Sequence, residues 1–419
     1  MSIEALAALP AQRKAGHPAG ITSVCSAHEL VIEAALLQAR EDGTSALIEA
    51  TCNQVNQEGG YTGMRPADFR DFVWRIADRT GLPRSRVILG GDHLGPNPWK
   101  HLPAPEAMEK ARQMIVAYAA AGYEKLHLDA SMGCLGEPAA LADDEIASRA
   151  AELAASAEAA ATARPVYVIG TEVPTPGGAT EALDHLRPTS PEAVLATYAV
   201  HERAFRGVVA AWQRVIAIVV QPGVEFGHED VAIYDPLRAG ALSAALDRMP
   251  GLVFEAHSTD YQPQASLSHL VRDGFAILKV GPGLTFALRE ALYGLDAIAE
   301  VLRPGGVPLA RAMEAVMTAQ PKHWQTHYPG TSEQQRVLRH YSYSDRIRYY
   351  WPAADARAAV DALMRRMHGV EIPATLVSQY LPRLHERVMT RTIAPEPRTL
   401  LIEAVRDVLR QYSHASAGS

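Results

Sequence analysis

The chain has little cysteine: Cys25, Cys52 and Cys134 are the three thiols in 419 residues. Their odd number and wide spacing exclude a disulfide framework and a CxxC zinc pattern. Reduced thiols suit the cytoplasm, where the protein is expected. Positive charge is also short, since 40 Lys and Arg against 47 Asp and Glu leave a net charge of −7. That is no footprint for nucleic acid, although a local site can still be basic enough for a small anionic substrate. No apolar run approaches the ~18 residues of a membrane span. The opening stretch MSIEALAALPAQRKAGHPAG lacks a signal-peptide core. Finally, the sequence holds no GxGxxG, no Walker loop and no kinase glycine loop. These absences weigh against bound NAD and against a kinase.

What is present is a regular alternation. Eight β-rich runs occur at Gly20–Val24, Ala46–Thr51, Val87–His93, Lys125–Ser131, Val166–Val173, Arg214–Val220, Leu252–His257 and Phe275–Val280. They are rich in Val, Ile and Leu and mostly lack strict alternation, as strands covered on both faces do. Helical patterns lie between them, at Pro66–Thr80, Glu106–Ala121, Asp143–Ala163 and Leu284–Leu302. Eight βα units in order predict a closed (β/α)8 TIM barrel. A doubly wound open sheet is the alternative, but its first turn would carry the missing glycine motif. The barrel is expected to fill residues 1–303. From Pro304 onward the pattern is helical, so 304–419 reads as an α-helical extension packed on the barrel, with a loose tail HASAGS.

Polar residues collect where the strands end, and barrel enzymes carry their chemistry at the C-terminal strand ends. The second strand ends in Glu49, Thr51 and Asn53, the third in Asp92 and His93, and the fourth in His127, Asp129 and Ser131. The fifth ends in Thr171 and Glu172 and the sixth in Gln221. The seventh ends in Glu255, His257, Ser258 and Asp260, and the eighth in Lys279 followed by Gly281-Pro282-Gly283. Core packing does not call for such groups, and buried charge is costly unless paired. His93, His257 and Glu172 make an open site for zinc or another divalent metal, with the Gln221 amide oxygen as a fourth ligand. A hydrogen-bonded polar network without metal is the alternative. Ser258, Gly281 and Gly283 suit a phosphate held by backbone N–H groups, or else form a tight turn with no ligand. In YSYSDRIRYYW, Tyr341–Trp351, the donors Ser344, Arg346 and Arg348 suit a phosphate, or else a helix interface.

These residues also carry a resemblance. The stretches SVCSAH (23–28), ILGGDHLGPN (88–97), HLDASM (127–132), VIAIVVQPGVEF (215–226), EAHSTDYQ (255–262) and SDRIRYYWP (344–352) are similar to a family of tagatose-bisphosphate aldolase accessory subunits. That family has also carried the label of tagatose 6-phosphate kinase. The likeness runs from about Gly20 to about Tyr412 and includes IEAT, NQVNQ and GGYTGM within 48–64, YVIGTEVP within 167–174, and GVEIP and SQYLP within 369–382. It implies a barrel resembling class II, metal-dependent aldolases. It also implies a ketose phosphate as substrate and, for some members, an aldolase catalytic subunit as partner. Other members interconvert tagatose and fructose at carbon 4. On the class II pattern Asp92 would move the proton of the C4 hydroxyl and His93 would bind metal, with His257 a later metal ligand. Gln221 replaces a histidine of that pattern. The expected activity is a D-tagatose 6-phosphate/D-fructose 6-phosphate 4-epimerase working by retro-aldol cleavage. Asp92 is the base, and Glu172 or Asp129 serves the other face of the aldehyde. A non-catalytic stabilising subunit, or an aldolase itself, is the alternative. Arg346 is the expected charged contact of the phosphate.

Overall fold

A computed structural model describes residues 2–171 and 186–417 of the chain. Its strands are β1 (Ile21–Cys25), β2 (Ala46–Thr51), β3 (Val87–Leu94), β4 (Lys125–Leu128), β5 (Val166–Ile169), β6 (Val215–Val219), the short pair β7 (Glu225–Phe226) and β8 (Val231–Ala232), β9 (Val253–Ala256) and β10 (Phe275–Val280). Eight of them close a parallel barrel in the order β1-β10-β9-β6-β5-β4-β3-β2, and β7–β8 forms a separate antiparallel hairpin. The chain is therefore a (β/α)8 barrel. The expected strands match to within a residue or two, except that β4 and the described part of the fifth strand stop earlier, at Leu128 and Ile169.

Side chains facing the barrel axis fall into layers, because residues two apart on a strand share a face. The lowest layer is apolar and includes Leu47, Ile88, Val166, Val253 and Ile277. Leu6 and Leu9, from the first two helices, pack into the same cluster and seal that end. One step up are Glu49, Gly90, Lys125, Glu255 and Lys279, and above them Thr51, Asp92, His127 and His257. Gly90 pairs with Glu49 on one side and Lys125 on the other. A Cβ at Gly90 would lie 2.6 Å from Glu49 Cγ, so its absence lets those two charged side chains meet across β3.

Among the helices after Arg303, Leu309–Ala319, Ala354–Arg366 and Ala374–Tyr380 contact the helix Pro282–Leu302. The last one, Pro397–Ser416, lies against the helices Glu29–Asp42, Gln264–Arg272 and Pro282–Leu302 and against β1. Its end corrects the expected loose tail: the helix continues through Ser416, whose carbonyl accepts the Gly20 N–H at 3.0 Å. The segment around Arg346–Tyr350 is a 3-10 turn entered through Asp345 at φ 44°. No described helix is long and apolar enough to cross a membrane.

The ends of β3 and β4 approach unusually closely. Asp129 donates its N–H to Leu94 O at 3.1 Å, and a Cβ on Gly95 would lie 1.7 Å from Asp129 O. Neither backbone can yield without opening the strand pair. Gly95→Ala is therefore expected to cost about 3 kcal/mol or more, the upper range for overpacking. An unchanged urea midpoint would show that the two strand ends do not meet this way.

Candidate active site

Three features of the backbone bring the site together. The register of β3 on β4 shifts between Gly91 and Leu94, and His93 sits inside that irregularity at φ 49°. Ser258, just past β9, takes φ 51°. Left-handed backbone at a residue other than glycine is unfavourable and tends to mark functional sites. The first bend places His93 beside Asp92 instead of on the opposite face of the strand.

The result is a cluster of Asp92, His93, His127 and His257 whose ligand-type atoms all lie within 4.8 Å of one another. The three ring centroids are 4.8–5.3 Å apart. Each ring is held at one nitrogen by an oxygen. His93 Nδ1 lies 2.8 Å from Asp129 Oδ2, His127 Nε2 2.9 Å from Gly170 O, and His257 Nε2 2.9 Å from Glu255 Oε1. Such anchoring fixes the tautomer and presents the other ring nitrogen, as metal-ligating histidines require. His127 Nδ1 lies 3.0 Å from Asp92 Oδ1 and 3.2 Å from the His93 backbone nitrogen, so the third ring is tied to both neighbours.

Beneath the cluster runs a chain of buried charges. Lys125 Nζ lies 2.6 Å from Glu49 and 2.7 Å from Glu255, and Lys279 Nζ lies 2.6 Å from Glu49 and 2.9 Å from Asp92. With Asp129, four buried carboxylates face two ammonium groups, an excess of two negative charges. Burial opposes charge on His93, but Asp92 and Asp129 override it and raise that ring above its ordinary value, so positive charge on the imidazole, or a cation in its place, would offset the excess. Burial alone would raise the Asp92 carboxyl, but the fields of His93 and Lys279 and the His127 bond hold it well below the carboxylate range. Burial likewise opposes ionisation of Asp129, and the His93 bond overrides it. His257 is pushed down to about 3, chiefly by burial, which keeps it neutral and able to act as a ligand.

A cavity of about 250 Å³ opens above these residues. Asp92, His93, Asp129, Ser131 and His257 line it, together with Tyr61, Ser258, Asp260, Lys279, Gly281, Arg348 and Tyr349. The structure thus brings Asp92, His93, Asp129, His257, Ser258, Gly281 and Arg348 together. It does not bring in Gln221, whose amide oxygen accepts the N–H groups of Gly223 and Val224 at 2.8 and 2.9 Å and so closes a turn. The fourth group of the cluster is His127 instead, which sequence reasoning left out of the metal set. Its signal was parity, because His127 lies two residues before Asp129 on one strand face. Glu172 lies outside the described residues.

The phosphate candidates are rearranged as well. The N–H groups of Gly281 and Gly283 are already taken, donating to Asp260 Oδ1 at 3.0 and 2.6 Å. Arg346 is turned away from the cavity lining. Its Nε donates to His323 O, and its guanidinium lies over Tyr349, 5.0 Å from the ring centroid. Arg348 reaches the cavity in its place, held by the carbonyls of Ser344 and Asp345 and the Tyr349 hydroxyl. Ser344 itself bonds Ser342 and Tyr328, so it contributes its backbone carbonyl and not its hydroxyl.

Comparison with known proteins places this geometry. The family model described as D-tagatose-1,6-bisphosphate aldolase subunit GatZ/KbaZ-like matches residues 6–417. A curated protein of Agrobacterium fabrum named D-tagatose 6-phosphate 4-epimerase is 55% identical over 418 residues, covering 98% of this chain and 97% of that protein. A crystal structure from Sinorhizobium meliloti 1021, described as a probable tagatose 6 phosphate kinase, is 57% identical with a TM-score of 0.89. The match covers 94% of this chain and 100% of that one.

The charge chain makes a prediction about stability. Lys125→Met removes the ammonium between Glu49 and Glu255 and should cost about 3–5 kcal/mol, as breaking a buried pair does. In the native protein burial would raise the Glu255 carboxyl, but Lys125 holds it low, so its stabilisation is present above the carboxylate range and fades in acid. In the variant that carboxyl is raised instead, and stability is lost as pH rises. The gap between the two proteins should therefore narrow from about pH 8 to about pH 5. A gap that widens in acid, read by urea denaturation, would show that Lys125 does not neutralise this pair.

Proposed function

The chain belongs to the GatZ/KbaZ-like family of D-tagatose-1,6-bisphosphate aldolase subunits, and we propose that it is an isomerase, a D-tagatose 6-phosphate/D-fructose 6-phosphate 4-epimerase. The observation that carries the reading is a buried Asp92 set among three anchored imidazoles, with Asp92, His93 and His257 on the lining of the cavity. Carbon 4 is not adjacent to the ketone, so its C–H is not acidic and simple enolisation cannot invert it. Cleaving C3–C4 can. Asp92 accepts the C4 hydroxyl proton while the C3–C4 electron pair moves into the ketone system. The aldehyde then turns its other face, the bond reforms, and a proton returns to the new C4 oxygen. The proposal gives that second face to Glu172. Asp129 is less suited, because its two oxygens are engaged by His93 and by Ser131.

His93, His127 and His257, with Asp92 beside them, would hold a divalent cation, and nitrogen-rich ligation favours zinc. When bound, the cation supplies Lewis-acid polarisation of the ketone. Asp129 and Glu255 orient two of the rings. The kinase description of the Sinorhizobium relative finds no nucleotide loop here to support it. The family description favours a second reading, in which the chain accompanies an aldolase catalytic subunit.

Incubation of the pure protein with fructose 6-phosphate and a divalent cation should yield tagatose 6-phosphate. Release of triose phosphate would indicate an aldolase. Absence of turnover with a stoichiometric aldolase partner in cell extract would favour the accessory role. Asp129→Asn, which loosens His93, should weaken metal binding roughly ten- to hundredfold by calorimetry. Unaltered affinity would remove His93 from the metal site.

For the phosphate the proposal turns on Arg348, supported by Ser258 on the same lining. Arg348→Ala should cost about 1.5–3 kcal/mol of binding, the worth of one charge-assisted bond. It should affect the phosphorylated ketose and spare the free sugar. Arg346→Ala should leave the ratio between those two ligands unchanged. Equal weakening of both ligands by Arg348→Ala would make that arginine structural.

A further inference from the structure

Barrels often hold phosphate on backbone N–H groups after the last two strands, at a helix N-terminus. Here that place is made and already filled. The helix Pro282–Leu302 begins at the end of β10, and the N–H groups of Gly281 and Gly283 both point to Asp260 Oδ1, at 3.0 and 2.6 Å. Asp260 is buried, yet it lines the same cavity as Asp92 and His257. A Cβ on Gly283 would lie 3.0 Å from that carboxylate oxygen, so the glycine allows its close approach.

The carboxylate is held in place by its own loop. Ser258 and Tyr261, on either side, have φ of 51° and 63°. Thr259 donates its hydroxyl to Lys279 O at 2.6 Å and accepts at its carbonyl from Tyr412 at 2.7 Å. Tyr261 donates to Tyr343 O at 2.6 Å. Strained backbone pinned from three elements keeps Asp260 in the cradle.

A second, independent observation concerns cations. Histidines aside, the described lining holds two basic side chains, Lys279 and Arg348. Lys279 is committed to Glu49 and Asp92, whereas Arg348 is held by two carbonyls and a phenol. Of the two, Arg348 is the cation whose hydrogen bonds go to uncharged groups, and its charge also acts on Asp260.

Resting on the reading of the site as a ketose-phosphate site, we propose that Asp260 is a specificity residue that occupies the second anion position and restricts the enzyme to monophosphorylated ketoses. A bisphosphate would have to set its second phosphate against a buried carboxylate that already uses both N–H groups. Discrimination of this kind works through an element that repels the wrong ligand.

The experiment measures binding of fructose 6-phosphate and fructose 1,6-bisphosphate to the metal-loaded wild type, Asp260→Asn and Asp260→Ser. Calorimetry gives the affinities, and thermal shift with inorganic phosphate is read in parallel. Wild type should prefer the monophosphate by roughly a hundredfold, the scale of one like-charge contact. Asp260→Ser should narrow that ratio at least about tenfold and gain binding of inorganic phosphate. Asp260→Asn, whose amide oxygen can still accept both N–H groups, guards against misfolding and should narrow the ratio less. Equal affinities in the wild type, or a ratio unmoved in both variants, would overturn the proposal. If the wild type binds neither sugar phosphate, the functional reading fails, and the inorganic phosphate arm alone decides Asp260. Phosphate binding gained in Asp260→Ser upholds the plug, and no gain overturns it.

Discussion

The chain of buried charges from Glu255 through Lys125, Glu49 and Lys279 to Asp92 is the constraint on which the site depends. An isolated ion in a protein interior carries a penalty of several kcal/mol, recovered when each charge meets opposite charges in good geometry. Here each ammonium touches two carboxylates, and the strands supply alternate members: β9, β4, β2, β10 and β3 in turn. Burial thus tends to lock the strands in a register that keeps the pairs together. The apolar layer beneath needs no such precision, since hydrophobic contact is not directional. The layer above inherits it, because Asp92 is the last member of the chain and the first of the histidine cluster.

Strain appears where that order is handed on. His93 and Ser258 both sit at the C-terminal ends of barrel strands in left-handed backbone. Conformations of that type cost of order 1–3 kcal/mol each and persist when surrounding contacts over-determine them. His93 is over-determined by its N–H on His127 and its ring on Asp129, and Ser258 by the pinned loop beyond it. A relaxed β3 would turn the His93 ring to the opposite face from Asp92, and the cluster would lose one of its four groups.

This explains which parts of the site were legible in the sequence. The barrel was legible because eight apolar runs and their helices are local patterns. Asp92, His93 and His257 were legible because ionisable groups at strand ends have no packing reason to be there. His127 was left out of the candidate metal set although its strand had been marked, since only parity with Asp129 separates a ring facing the axis from one facing a helix. Gln221 sits at the end of β6 as expected, but a glutamine followed by a Pro-Gly turn can satisfy its oxygen locally, and it does. Arg346 and Arg348 differ by two residues in a 3-10 turn, where such spacing points side chains in different directions. Nothing local in YSYSDRIRYYW distinguishes the one that faces the cavity.

The proposed epimerisation is related to aldol cleavage. Both reactions break the same bond, and they differ in the fate of the aldehyde fragment. Retention requires a grip at the end remote from the carbonyl and a wall that delays escape, so that rejoining is effectively intramolecular. Under the proposed function, segment 341–351 would supply elements of both, with Arg348 on the lining and Tyr349 packed edge-on to Tyr61 at 5.0 Å. Tyr349 is also stacked on His323 at 5.1 Å, and Tyr343 accepts the hydroxyl of Tyr261 from the loop that carries Asp260. Part of the helical extension is thus built into the mouth of the barrel. Its contacts join the segment that carries Arg348 to the loop that carries Asp260. Under the proposed function, fragment retention would depend on the barrel and this segment together.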